Sequence, residues 1–311
     1  MTTEATTIAD PVASERAREL LQGAYDTHVH IAPDVVERKT DDLGLACRLL
    51  DLGMAGFCMK SHYTSTAERA SVVRAAVPGI DALGSIVLNR AVGGMNPLAV
   101  EVAAREGARI VWLPTVDSVN ESHERDHAGA GGRVPVWVKL QLELREQGIE
   151  IPPVPVVDAD GAPLPETREV LEVVARHQMV LATGHLAGEE IFAMVDAAVA
   201  AGVETIVVTH PEFPSQDLGI EAQRELAARG ALLERCFTTP HTGKVEWSRW
   251  LEAIRATGPE HSVLSTDLGQ TFNPAVEDGM GFMVDRLLEA GFEEEEIKTM
   301  AVTNTRRVAG K

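Results

Sequence analysis

Between Tyr25 and Ala290, short apolar runs alternate with amphipathic stretches, and the alternation repeats eight times. That rhythm leaves few folds open. Runs such as Gly56-Phe57-Cys58-Met59, Arg109-Ile110-Val111-Trp112-Leu113 and Thr205-Ile206-Val207-Val208 are too short for helices and too continuously apolar for half-exposed strands. They read as parallel strands buried on both faces, with helices packed over them. The helices are expected near 41–52, 65–76, 97–106, 166–176, 189–201, 220–229, 245–257 and 279–290. Eight such strand–helix units are the count of an α/β chain closed as a (β/α)8 TIM barrel. An open doubly wound sheet is the rival, but no Gly-x-Gly-x-x-Gly follows the first strand, which counts against a dinucleotide-binding form.

Residues 1–13 are Thr-rich and read as a flexible tail, ahead of a short helix capped by Ser14. Residues 14–311 are expected to form one domain. Within it, residues 117–165 break the rhythm and exceed an ordinary βα loop. The stretch from Asn120 to Gly132 is polar and Gly-rich. Residues Val136 to Gln147 suggest a helix, and Val156-Val157 meets Asp158-Ala159-Asp160-Gly161 in a plausible hairpin turn. We read this as an insertion after strand four, a lid or substrate wall over the active face.

Polar residues fall where such a barrel would use them. His28 and His30 end strand one, two apart and so on one face of it. Lys60 and His62 end strand two, His185 strand five, His210 strand six and Asp267 strand eight. In a parallel barrel the C-terminal strand ends meet on one rim, where barrel enzymes build their sites. Residues scattered along the sequence thus converge on one place. Imidazoles with one carboxylate suit two divalent ions such as zinc, manganese or iron, and a water bridging them would be acidified. Asp267 could then both bind metal and take a proton.

The elements Asp26-Thr27-His28-Val29-His30, Thr183-Gly184-His185, Thr209-His210-Pro211 and Ser265-Thr266-Asp267, with the tail Met300-Ala301-Val302-Thr303-Asn304-Thr305, resemble the amidohydrolase superfamily over about residues 24–310. The resemblance implies that His28, His30, His185 and His210 are metal ligands and that Asp267 is ligand and general base. The chain departs from that pattern at strand four. Many dinuclear members carry a bridging carbamylated Lys or Glu there, whereas here the strand runs into Trp112-Leu113-Pro114-Thr115-Val116-Asp117. Lys60, His62 and Glu234 are the candidate replacements. Glu234 alternates with Leu232 and Cys236, so it could face the barrel interior. The plainer alternatives are an ion pair of Lys60 with Asp267 or Glu234, a supporting imidazole at His62, and a salt bridge from Glu234 to Arg235 or Lys244. His241, Asn89 and Trp112 are the candidate substrate contacts. His123 and His127 read as solvated, His177 as a helix-end cation, and Cys58 and Cys236 as core.

A net charge of −19 argues against nucleic acid or anionic membrane as a partner, and 4% aromatics against stacking platforms. No apolar run is long enough to span a bilayer, no secretory signal opens the chain, and three scattered cysteines suggest no disulfide framework. A cytoplasmic protein acting on a small molecule is the expectation, with self-association left open. The first reading is a metal-dependent hydrolase of an acyl, ester or amide compound. The second is a nonheme diiron monooxygenase on the same barrel, as in terpenoid secondary metabolism, since the superfamily contains oxygenase offshoots. The third is a non-catalytic metal-binding barrel.

Overall fold

A computed structural model describes residues 13–122 and 136–311. His123, His127 and residues 1–12 of the expected tail lie outside these. The strands are β1 (Tyr25–Val29), β2 (Gly56–Met59), β3 (Asp81–Val87), β4 (Ala108–Trp112), β5 (Val180–Ala182), β6 (Thr205–Val208), β7 (Leu232–Cys236) and β8 (Ser262–Ser265). They form one eight-stranded sheet in sequential order, and every neighbouring pair is parallel. Backbone bonds from Asp267 N to His28 O and from His30 N to Leu268 O, both 2.8 Å, bring β8 back to β1. The expected (β/α)8 barrel is what the chain builds.

Alternation sorts the side chains into two layers. Leu83, Val87, Ile110, Trp112, Val180, Leu232 and Val263 fill the inside of the barrel, while Ile86, Val111, Leu181 and Leu233 pack outward against helices. At the strands' N-terminal end the helix Asn304–Ala309 closes the barrel. The Asn304 amide donates to the carbonyls of Pro259, Glu260 and Ser262. That Asn-containing tail therefore braces the end of the barrel opposite the histidines. No helix among the described residues is long and apolar enough to cross a membrane.

The described residues of the insertion after β4 are docked on the rim. Ser118 bridges Val154 in parallel, and Val157 pairs antiparallel with Pro163 around the turn begun at Asp158, which is the expected hairpin. Helix Val136–Glu146 reaches back through Gln141 Nε2, which donates to Asp117 Oδ1 at 2.6 Å. Arg90, after β3, ties down the other flank through the carbonyls of Pro152 and Pro153.

Candidate metal centre

Backbone geometry at the rim aims the side chains. Gly184 takes φ +62°, and a Cβ there would lie 2.3 Å from Leu113 O, so only glycine lets β5 turn into His185 against β4. His210 and Asp267 adopt left-handed backbone themselves, at φ 26° and 54°. Such conformations are uncommon outside glycine and concentrate at functional sites.

Five imidazoles form one continuous group. His28 lies 5.3 Å from His30 and 6.4 Å from His210, ring to ring; His30 stacks on His62 at 4.9 Å; His62 meets His185 at 6.1 Å; and His185 meets His210 at 5.0 Å. Asp267 Oδ1 lies 3.2 Å from the Nε2 of both His28 and His30. Tetrahedral binding with metal–ligand bonds near 2.0–2.1 Å gives ligand–ligand edges of about 3.3 Å, so this triad has the dimensions of a metal face. The donor chemistry agrees. Burial pushes His30, His62 and His185 down from their ordinary values and His210 down to about 3, which leaves neutral imidazoles with lone pairs. Burial alone would raise Asp267, but the neighbouring His28 and His30 rings, the His30 hydrogen bond and the Lys60 ammonium hold it well below the usual carboxylate range. The residues present therefore fit a divalent cation.

The protein engages the remaining ring nitrogen of four of these histidines, while His30 Nδ1 is buried without a hydrogen-bond partner among the described residues. His28 Nδ1 donates to Glu234 Oε1 at 3.0 Å, and the same oxygen accepts from Ser265 Oγ at 2.9 Å. His210 Nδ1 donates to Gln216 Oε1 at 3.1 Å. Glu121 Oε1 lies 2.9 Å from His185 Nδ1, off the ideal N–H direction, and accepts from Ser215 Oγ. His62 Nδ1 is 2.8 Å from Thr115 Oγ1. Fixing one imidazole nitrogen leaves the other to face the site, which is how proteins orient metal-binding histidines.

Of the strand-two and strand-seven candidates, Glu234 does face inward. It makes neither alternative ion pair: Arg235 points outward to Glu212, and Lys244 sits over Phe213. Burial opposes its charge, but His28, His210 and Lys60 hold its carboxyl down at about 2. Glu234 Oε2 is buried without a hydrogen-bond partner among the described residues, and a carboxylate oxygen in that setting calls for a cation. Lys60 Nζ donates to His28 Nε2 at 3.0 Å and lies 5.1 Å over the Trp112 ring, instead of pairing with a carboxylate. An ion bound at His28 Nε2 would take the place of that contact.

The candidate substrate contacts separate. Trp112 is buried on the floor, 5.5 Å from His28. Asn89 is buried and occupied at both ends: its Nδ2 donates to His62 O and Thr115 Oγ1, and its Oδ1 accepts from Thr115 N. That makes Asn89 a brace between the β2, β3 and β4 ends. His241 is exposed and stacks on Phe237 at 4.6 Å, at the end of the one-turn helix Thr238–His241. Sequence reading missed Glu121, Gln216, Thr115 and Thr238, whose Oγ1 donates to Asp267 Oδ2 at 3.0 Å.

The barrel shares its fold with solved structures described as amidohydrolases and dipeptidases. An amidohydrolase from Pseudomonas aeruginosa aligns over 95% of this chain and 99% of its own, at TM-score 0.60 and 12% identity. The probable dipeptidase PvdM from the same organism aligns over 95% and 96%, at TM-score 0.61 and 10% identity. A zinc-bound amidohydrolase from Burkholderia multivorans aligns over 92% and 99%, at TM-score 0.56 and 13% identity. At such identities the likeness is one of fold. In sequence, residues 23–234 match the family described as a family of unknown function, DUF6282, and the chain belongs to it. No curated protein matches the chain.

Proposed function

We propose that this protein is a metal-dependent hydrolase of a small acyl compound, with two divalent ions at the rim. The observation that carries this reading is the approach of the His28 and His30 Nε2 atoms to one oxygen of Asp267. His28, His30 and Asp267 hold the first ion. His185 and His210, 5.0 Å apart ring to ring, hold the second, with His62 between the two groups and Glu234 beneath. Bound there, such ions polarise an acyl oxygen and acidify water. The chain supplies the rest. Thr238 fixes Asp267 Oδ2, so the carboxylate is oriented to take a proton and pass it to the leaving group. Trp112 closes the floor, and the insertion docks over the β4 side of the rim. The zinc in the Burkholderia multivorans structure supports a hydrolytic metal on this fold.

Elemental analysis of the purified protein, with chelation and re-addition of zinc or manganese, tests the reading. Two equivalents and metal-restored hydrolysis of ester, lactone or amide substrates are expected. Two irons with consumption of dioxygen would replace it with the oxygenase reading, and a protein that binds no metal would end both.

The imidazole supports provide a second test. Glu121→Gln weakens the acceptor at His185, and Gln216→Ala removes the one at His210. Each is expected to lower metal affinity by about 10–100-fold while the fold survives. Competition with a chromophoric chelator measures this, and unchanged affinity in both variants would remove His185 and His210 from the site.

A further inference from the structure

The loop after β7 turns back on itself, with Lys244 N donating to Thr239 O at 3.1 Å. It carries the Lys244 ammonium to 4.1 Å over the ring of Phe213. Phe213, from the loop after β6, packs 4.9 Å from the His210 ring and stacks on His185 at 6.4 Å. Lys244 is thus one aromatic ring removed from two of the imidazoles. Lys244 is exposed at the rim, and the charges of Asp267 and Glu121 act on it.

Other basic side chains around this rim are engaged. Arg38 holds Asp34 Oδ2 through Nε and Nη2, both at 2.7 Å. Lys39 donates to Asn273 O, Lys60 to His28, and Arg90 to the insertion. Among the described residues, no carboxylate lies within 4.0 Å of Lys244 Nζ, whose contact is the Phe213 face. A cation held over an aromatic ring keeps its remaining N–H donors for a ligand. The surrounding chain carries a net charge of −19 and would repel an anion arriving at the rim. A local unpaired ammonium reverses that field where it matters.

We infer that Lys244 is the recognition point for an anionic group, and that the substrate is an acyl compound carrying a carboxylate. The acyl part rests on the hydrolase reading above; the carboxylate rests on the rim. The substrate's apolar segment lies against Phe213, its carboxylate reaches Lys244, and its acyl end enters the histidine group.

Calorimetric titration tests this, with and without added zinc. The probes are succinate, glutarate and adipate, each against the monocarboxylate of equal length: butyrate, pentanoate and hexanoate. At the best-fitting length the dicarboxylate is expected to bind about tenfold more tightly, as one charge-assisted contact gives. Lys244→Met keeps an apolar stem over Phe213 and should erase that preference, while Lys244→Arg keeps it; metal content should be the same in all three proteins. Equal affinity for both ligand classes in the unaltered protein, or a preference that survives Lys244→Met, would overturn the inference. The readout is binding, so it stands apart from the hydrolase reading. A dicarboxylate preference without metal-restored turnover would sink the hydrolase alone, and turnover without the preference would sink the Lys244 assignment alone.

Discussion

Asp267→Asn is expected to strip the rim of metal and to lower turnover of any acyl substrate by about 10²–10⁴-fold, the range a general base contributes. Asparagine is the informative replacement here. Asp267 sits at φ 54°, a conformation that asparagine tolerates and alanine does not, so the change removes charge without adding backbone strain. The amide can still accept from Thr238 Oγ1, as the carboxylate does at 3.0 Å. What is lost is the anionic oxygen placed 3.2 Å from both His28 and His30. Two neutral imidazoles do not hold a divalent ion as well as two imidazoles with a carboxylate. Metal content after dialysis and kcat/KM on the same preparation should therefore fall together, with the circular dichroism spectrum unchanged. A variant that keeps its metal and its rate would show that the ion, if bound, sits elsewhere.

Why Asp267 could be found from sequence, and Glu121 could not, follows from how each is placed. The barrel gives every strand end the same destination, so a polar residue closing an apolar run is legible once the strands are counted. His28, His30, His185, His210 and Asp267 are all of that kind. They lie one to three residues beyond the regular strand or within its last turn, where ladder contacts such as Lys60 N to Val29 O at 2.9 Å still fix the backbone. Glu234 was legible by a second rule, the two-residue alternation that puts it inside with Leu232 and Cys236. Glu121 obeys neither rule. It belongs to an insertion held by the pairing of Ser118 with Val154 and by Gln141 on Asp117, long-range contacts that leave no periodic trace. The same limit applies to His241. Its place after β7 suggested a contact on the active rim, but the chain coils there into a single turn and sends the ring onto Phe237. Asn89 was read as a candidate substrate contact, yet its amide is taken up at both ends by protein, something only the folded neighbourhood decides.

The largest effect on stability is expected from the outward face of β7. Arg235 is completely buried, pairs with Glu212, and donates to Gln223 Oε1 at 2.7 Å and Thr257 Oγ1 at 2.9 Å. Burial pushes the Glu212 carboxyl up and the Arg235 guanidinium down, and each is offset by the other's charge. Removing one member leaves an uncompensated charge in the layer between barrel and helices. Arg235→Met should cost about 3–5 kcal/mol in urea unfolding, and Glu212→Leu a similar amount, whereas the double variant should recover most of the loss. Additive losses in the double variant would contradict this, because residues in contact are expected to couple. The double variant also separates folding from function. Glu212 follows His210 by two residues, and His210 holds a left-handed backbone that the turn must enforce. If the ion pair serves chiefly to pin that turn, the stable double variant will still bind metal more weakly than the unaltered protein. Equal metal affinity would assign the pair to the fold alone, with His210 held by Gln216 and the β6 backbone.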